Sequence, residues 1–259
     1  MTRLTSQAAS FGYDGRVVVD QLDLDIPDDR LTVLVGPNAC GKSTLLRGMA
    51  RLLRPTAGAV LLDGHAIHEE PTRTVAQRLG LLPQSPTAPE GITVHDLITR
   101  GRQPHQHWWS TWASEDEGAV AEAVARTDVA HLLEVDVASL SGGQRQRVWI
   151  AMALAQQTEL LLLDEPTTYL DIAHQVEVLD LLSRLVAAGP RTVVAVLHDL
   201  NHAARYADHI VAMREGRIVA QGPPEQVITS AMVADVFGLK CMVVPCPATG
   251  APLVVPLAT

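Results

Sequence analysis

The fold of this chain is decided by a stretch that reads Gly36-Pro37-Asn38-Ala39-Cys40-Gly41-Lys42-Ser43, here called the phosphate loop. It fits the pattern G-x-x-x-x-G-K-S and lies between an apolar run, Leu31 to Val35, and a helical pattern that begins at Lys42. Glycines let the backbone wrap around a polyphosphate, so that N–H groups and the positive helix end face its oxygens. We expect Lys42 to reach the β- and γ-phosphates and the Ser43 hydroxyl to ligate Mg²⁺. The alternative, an ordinary glycine turn with an exposed lysine, is disfavoured by the flanking strand and helix.

A second buried strand is predicted by the run Leu160 to Leu163, and two acids, Asp164 and Glu165, follow it directly. Asp164 is expected to hold the metal through water. Glu165, one residue beyond the strand, is expected to orient or deprotonate the water that attacks the γ-phosphate. An isolated Asp-Glu pair is commonly a solvated turn, but beside a phosphate loop we interpret it as the other half of a magnesium site.

Composition narrows the class of protein. The chain has 259 residues, 20 Lys and Arg against 29 Asp and Glu, and a formal net charge of −9, which argues against nucleic acid as a partner. Its 47% hydrophobic residues can form a substantial core. No apolar run approaches the roughly 18 residues of a membrane span. The first ten residues show no export signal, and the odd number of cysteines, 3, favours a reducing compartment.

Periodicity and turn residues predict an α/β chain. The segment from Ser85 to Gln157 carries helical patterns and predicts a helical lobe, and the segment from Leu160 to Leu197 predicts a βαβ unit of a parallel sheet. Ser114 and Glu117 predict a capping box. Further strands are predicted at Leu22 to Ile26, Ala59 to Leu62, Leu79 to Leu82, Thr192 to Leu197, Ile210 to Met213 and Arg217 to Ala220, with hairpin turns at Glu215-Gly216 and Thr249-Gly250. Helices are predicted at Lys42 to Leu53, Thr93 to Arg100, Glu115 to Leu133, Gly142 to Gln157, Ile172 to Ala187 and Leu200 to Tyr206.

A further motif, here called the signature motif, reads Leu140-Ser141-Gly142-Gly143-Gln144. Ser141 can cap a helix whose first N–H groups are open to an anion. Together with the phosphate loop and the Asp-Glu pair, this motif resembles the nucleotide-binding subunits of ATP-binding cassette transporters over nearly the whole chain, from about Leu4 to Val255. The resemblance implies an α/β P-loop NTPase fold with a RecA-like core, an N-terminal antiparallel β-subdomain and an inserted helical subdomain. It places the ATPase domain at residues 3–230, with the core at about 3–84 and 158–230, the helical subdomain at about 85–157 and a C-terminal extension packed on the core at 231–259.

The same resemblance implies the roles of single residues. The cofactors are ATP and Mg²⁺, with Glu165 and His198 catalytic, Tyr13 stacked on adenine and Asp171 in a loop that crosses a dimer interface. The signature motif is expected to act in trans, on the γ-phosphate that the partner cassette holds. Two departures from the family pattern are Ala39, where many relatives have Gly, and Tyr169, which replaces a smaller residue. ATP-binding residues are Tyr13, Gly36, Pro37, Asn38, Ala39, Cys40, Gly41, Lys42, Ser43 and Thr44, and the magnesium site is formed by Ser43, Gln84 and Asp164.

Segments in and around the helical lobe, among them residues 88–94, 100–105, 144–156 and 197–201, are similar to cassettes of iron–siderophore importers, with cobalamin and haem importers as near relatives. The resemblance therefore implies a homodimer with ATP that drives import of ferric siderophore through separate permease subunits, with a substrate-binding protein as an indirect partner. The chain would then lie peripherally at the cytoplasmic face of the membrane. Two other classes stay open: a soluble cassette protein acting on ribosomes or DNA, and a P-loop kinase, which would not explain the signature motif.

His105-Gln106-His107 is followed by Trp108, Trp109 and Trp112 and could suggest a metal site. No nearby acidic or cysteine ligand completes a set, so contact with the membrane partner or packing in the lobe is preferred. Cys241 and Cys246 are expected to be packing residues.

Overall fold

The computed structural model of the chain describes residues 2–106 and 113–258. Its strands are β1 Leu4–Tyr13, β2 Arg16–Ile26, β3 Leu31–Val35, β4 Ala57–Leu62, β5 His65–Ala66, β6 Leu79–Leu82, β7 Leu160–Leu163, β8 Thr192–Val196, β9 His209–Arg214, β10 Arg217–Gly222, β11 Cys241–Pro245 and β12 Pro252–Pro256. Its α-helices are α1 Lys42–Met49, α2 Thr72–Ala76, α3 Val94–Thr99, α4 Ser114–Thr127, α5 Gly142–Ala155, α6 Ile172–Ala187, α7 Leu200–Tyr206, α8 Pro224–Val227 and α9 Ser230–Phe237.

A six-stranded sheet in the order β10-β9-β3-β8-β7-β6 carries the strands that lead into the predicted site. Strands β9, β3, β8, β7 and β6 are parallel, and β10 pairs antiparallel with β9 at one edge. Every residue of β3, β7 and β8 is buried, as expected for parallel strands that are covered on both faces. The predicted βαβ unit is confirmed, because β7 and β8 are parallel neighbours joined through α6.

Two apolar layers cover the two faces of this sheet. On one face, α1 and the four-stranded antiparallel sheet β2-β1-β4-β5 pack through Phe11, Leu45 and Leu46, which meet Leu34 of β3. On the other face, the longer helices pack through residues such as Val148 and Leu182 against Val33. Helix α1 is therefore held between two sheets, and its N-terminus is fixed at the end of β3.

The helices of the lobe follow β6 and precede β7, but their limits differ from those predicted. Helix α4 begins at Ser114, so the predicted capping box of Ser114 and Glu117 is wrong by one residue. The N–H of Ala113 instead donates to the carboxylate of Asp116 at 3.4 Å. The cause is a buried ion pair, since Arg102 Nε donates to Asp116 Oδ1 at 2.8 Å and fixes where the first turn starts.

Two helices end earlier than their apolar spacing suggests. Helix α1 ends at Met49 rather than at Leu53, because Arg51 adopts a left-handed conformation with φ of 65°. Helix α4 ends at Thr127 rather than at Leu133, where Asp128 has φ of 55°. Neither terminating residue is a glycine, so the sequence carries no stop signal there.

The hairpin β11–β12 closes the described chain and contacts α7. Asn201 of α7 accepts from the Val254 N–H at 2.7 Å and donates to the Val254 carbonyl at 3.3 Å. Cys241 is buried and Cys246 partly so, both with free thiols. Among the described helices, none combines the length and the apolar character that crossing a bilayer requires.

Candidate nucleotide site

The phosphate loop leaves the carboxyl end of β3 and enters α1 at Lys42, the strand, loop and helix order that its motif predicts. Ala39 lies in this loop with φ of 61°, a left-handed conformation that glycine adopts more easily than alanine. The loop is supported from outside by the β9–β10 turn, where the N–H of Gly216 donates to the Cys40 carbonyl at 2.8 Å. The backbone of the loop is thus fixed at both ends and at its middle.

Lys42 is buried under this loop. Its Nζ donates to the carbonyl oxygens of Gly36 at 2.8 Å and of Pro37 at 2.9 Å. These partners are neutral, and no carboxylate in the described part of the chain forms an ion pair with it. Lys42 Nζ also donates to the Cys40 Sγ at 3.9 Å. A buried cation whose hydrogen-bond partners are all neutral suits an anionic ligand, because a buried charge is costly unless it is paired.

Ser43 and Asp164 meet beside the loop. Ser43 Oγ donates to Asp164 Oδ1 at 2.8 Å, and Asp164 is 3% exposed. Burial raises the pKa of Asp164 above its ordinary value. Its second oxygen, Oδ2, is buried and has no hydrogen-bond partner among the described residues. A hydroxyl and a carboxylate with an unused buried oxygen form the oxygen-donor set that Mg²⁺ prefers, so these residues fit a magnesium ion.

Glu165 is the centre of a hydrogen-bond network. It accepts from Gln84 Nε2 at 2.6 Å, from His198 Nε2 at 2.7 Å and from Thr168 Oγ1 at 2.9 Å. Burial acts to raise the pKa of Glu165, but the hydrogen bonds from His198 and Thr168 outweigh it and leave the pKa below its ordinary value. Glu165 is therefore ionised at neutral pH and can accept a proton or orient a water.

One cleft of about 1010 Å³ contains most of the predicted site. Tyr13 lines it with 43% of its surface exposed, as an aromatic platform would require. Sequence reasoning missed Arg16 and Glu215, which also line the cleft. It also missed Thr168, since its bond to Glu165 depends on a loop conformation that the motif does not signal. Among the predicted residues, the cleft is lined by Tyr13, Asn38, Ala39, Gly41, Lys42, Ser43, Thr44, Gln84, Glu165 and His198.

The signature motif and Asp171 form a second group, and they do not line this cleft. Ser141 caps α5, with its Oγ accepting from the Gln144 N–H at 3.3 Å while Gln144 Oε1 accepts from the Ser141 N–H at 3.0 Å. Asp171 caps α6. Gly142 lies close to the interface loop (residues 169–171), since a Cβ there would be 3.7 Å from the Tyr169 carbonyl oxygen. Within one chain, the two groups of predicted residues are therefore separate.

The segment His105-Gln106-His107, for which packing in the lobe or a partner contact is preferred over a metal site, is described only in part. His107 and the three tryptophans at 108, 109 and 112 lie outside the described residues. His105 Nε2 is hydrogen-bonded to the Gln156 carbonyl oxygen at 2.8 Å, so its ring is engaged in the lobe. The described part of the chain contains no group of three or more His, Cys, Asp or Glu side chains that could hold a metal.

The parallel sheet, the loop at the end of β3 and the buried Lys42, Ser43 and Asp164 define a P-loop nucleotide-binding protein. The chain belongs to the ABC transporter family, whose family model matches residues 19–168. Its ATPase fold and its site place it among the ATP-binding members of that family, which confirms the resemblance that the motifs indicated.

Comparison with individual proteins agrees with this membership. The ferric enterobactin transport ATP-binding protein FepC of Escherichia coli (strain K12) is 50% identical over 257 residues, covering 99% of this chain and 95% of that protein. The achromobactin transport ATP-binding protein CbrD of Dickeya dadantii (strain 3937) is 51% identical over 256 residues, covering 99% and 95%. Among solved structures, CbiO1 of Clostridium perfringens, part of the ABC transporter complex CbiONQ, superposes with a TM-score of 0.79 at 27% identity, covering 90% of this chain and 93% of that one.

Proposed function

We propose that this chain is the ATP-hydrolysing subunit of an importer and powers uptake of a ferric siderophore through separate transmembrane subunits. The observation that carries the proposal is the convergence of the phosphate loop, Glu165 and His198 on one cleft, with Asp164 bonded to Ser43 beside it. Relatives that are half identical over nearly the full length are named for transport of enterobactin and achromobactin. Cobalamin is the cargo named for a more distant relative at 42% identity, and it is the main alternative.

In the proposed reaction, Tyr13 stacks on adenine, the loop N–H groups and Lys42 bind the phosphates, and His198 contacts the γ-phosphate. Lys42 leaves the Gly36 and Pro37 carbonyls, or shares its donors with them, when the more strongly accepting phosphate arrives. Glu165 then orients or deprotonates the attacking water. Mg²⁺, held by Ser43 and Asp164 with Gln84 as a further ligand, would screen the charge of the phosphates.

The cassette works as a homodimer in this proposal. The signature motif is separate from the cleft of its own chain, and the first N–H groups of α5 are not used within that chain's cleft. In a head-to-tail pair these groups would close on the partner's γ-phosphate. Permease subunits would hold the pair at the cytoplasmic face of the membrane, and a substrate-binding protein would act through them. We assign residues 85–157 as the inserted helical subdomain and 231–259 as the C-terminal extension.

Uptake of a ⁵⁵Fe-labelled siderophore by a strain that lacks this chain tests the cargo. The wild-type chain should restore uptake, whereas Lys42→Ala, which removes the cation proposed to bind the phosphates, should not. Unchanged iron uptake in the deletion strain, together with lost uptake of labelled cobalamin, would replace the siderophore with the alternative cargo. Co-purification with ribosomes instead of a membrane protein would refute the transport assignment as a whole.

A further inference from the structure

His174 lies at the third position of α6 and is bonded twice to the residue that caps that helix. Its backbone N–H donates to Asp171 Oδ1 at 2.9 Å, and its ring Nδ1 donates to the same oxygen at 2.7 Å. The pKa of Asp171 is lowered by these two bonds, the backbone bond first. The imidazole therefore fixes the side chain of the residue that ends the interface loop.

The opposite edge of the same ring lies on the signature motif. A Cβ built on Gly143 would be 2.3 Å from His174 Cδ2 and 2.9 Å from Nε2, distances at which no side chain fits. Gly143 is buried, although it is the second residue of a helix that starts in an exposed turn. The glycine is thus required in this chain by the imidazole that covers it, in addition to any ligand.

We propose that His174 is a positioning residue that joins the interface loop to the signature motif, so that both reach the partner's nucleotide as one unit. The inference rests on the proposed function, because it concerns residues that serve a second copy of the chain. Among the described residues, His174 is not one of those that line the cleft, and its hydrogen bonds go to Asp171.

The fold does not need this ring. Without it, the Asp171 cap keeps its bond from the backbone N–H of residue 174, so α6 can still begin there. Helices α5 and α6 remain joined by the ion pair between Arg147 and Glu177 at 2.7 Å. Gln175 Nε2 still donates to the Leu170 carbonyl at 3.0 Å. Removal of the imidazole should therefore loosen the relative position of the two elements without unfolding either.

Three substitutions separate the ring's contacts. In His174→Asn the side-chain amide stands where Nδ1 stood and can still donate to Asp171. In His174→Gln the amide lies one carbon further out and cannot, and His174→Ala removes both contacts. His202→Ala is the matched control, because His202 holds the same position on α7, with its N–H bonded to the capping Asp199 at 2.8 Å, while its ring packs edge-on against Tyr206.

The purified full-length chain is assayed for kcat of ATP hydrolysis, for affinity of a fluorescent ATP analogue and for ATP-dependent dimerisation in a Glu165→Gln background. We expect kcat and the association constant of the dimer to fall about tenfold in the Ala and Gln variants, because each loses roughly one strong hydrogen bond. The affinity for the ATP analogue should be unchanged. The Asn variant keeps the bond to Asp171 but lacks the ring edge that covers Gly143, so its kcat and dimerisation should also fall, by more than about threefold. His202→Ala should stay within about threefold of wild type.

Equal kcat in wild type and His174→Ala would overturn the inference. It would also be overturned if analogue affinity fell in parallel with kcat, which indicates a general structural role, or if His174→Asn kept full activity, since the bond to Asp171 alone would then be sufficient. A wild-type chain that does not hydrolyse ATP would instead refute the proposed function, and the inference with it.

Discussion

Replacement of Glu165 by glutamine tests the catalytic assignment most directly, because the structure indicates that the variant keeps its fold. Glu165 accepts from Gln84 and Thr168 through Oε2 and from His198 through Oε1. A glutamine oxygen can take the first two bonds. The third needs only a change of tautomer, in which His198 Nε2 accepts from the new amide. The free energy of unfolding should therefore change by about 1 kcal/mol or less.

The effect on catalysis should be much larger. A glutamine can neither take a proton nor bind a water as strongly as a carboxylate, and loss of a general base costs about 10²- to 10⁴-fold in rate. At 1.36 kcal/mol for each factor of ten, this corresponds to about 2.7–5.4 kcal/mol of transition-state stabilisation. Affinity for ATP should not fall, because Lys42 and the loop are bonded independently of Glu165.

Phosphate release and binding of a fluorescent ATP analogue, measured on the same preparations, separate these effects. Thr168→Val is the matched control, since it removes one hydrogen bond but leaves the carboxylate, and should lower kcat only severalfold. In the wild type, the low pKa of Glu165 keeps the base ionised above its ordinary value of 4.5, so its protonation should lower kcat only below that pH. Turnover of Glu165→Gln within about tenfold of wild type would refute the role of Glu165 as base or orienting group.

Further predictions concern stability and are measured by urea unfolding. Asp116→Asn should lower the free energy of unfolding by about 3–5 kcal/mol, because it leaves the Arg102 charge buried without its partner. The pKa of Asp116 is lowered, since the hydrogen bonds from Arg102 and the Ala113 N–H outweigh burial. The difference in unfolding free energy between wild type and Asp116→Asn should therefore persist above pH 3.8, the ordinary pKa of an aspartate, and vanish as the pH falls through the lowered pKa of the folded state. A difference that grows on acidification would contradict this assignment. Ala39→Val should cost more than about 1 kcal/mol, because a β-branched residue is strained at φ of 61°, and an unchanged midpoint would refute it. Gly48→Ala should cost about 1–3 kcal/mol, because its Cβ would lie 2.3 Å from the ring of Phe11, and full stability would show that the ring can move.

The sequence was sufficient to predict the position of two strands at the centre of the six-stranded sheet. The runs Leu31 to Val35 and Leu160 to Leu163 are continuous apolar segments bounded by glycine or acidic residues, and the structure has strands with these limits. Because these strands are buried on both faces, their residues are apolar throughout and do not alternate with polar ones, so the pattern is unambiguous. Helix ends were predicted less well, because Arg51 and Asp128 adopt left-handed conformations that their residue types do not signal.

For the candidate site, the local sequence was sufficient to predict which side chains lie together within one motif. It was not sufficient to predict the contacts between motifs. The order of strand, loop and helix located Lys42 and Ser43, and the resemblance to a family supplied Tyr13 and Gln84. The bond between Gly216 and Cys40 and the packing of His174 on Gly143 join residues far apart in the chain. Such pairs depend on how the sheets and helices pack, which no spacing rule encodes.

The charge of the cleft shows why net charge is a poor guide to the ligand of this chain. The side chains that line the cleft include three acids, Asp14, Glu165 and Glu215, and two bases, Arg16 and Lys42. Their charges alone would not attract a polyphosphate. In the proposed function, attraction would come from groups that a count of charged residues omits: the N–H groups at the start of α1, and a Mg²⁺ ion, for which Asp164 has an unpartnered oxygen. A chain of net charge −9 can therefore bind a strongly anionic nucleotide, and its affinity should depend more steeply on Mg²⁺ than on any one surface charge.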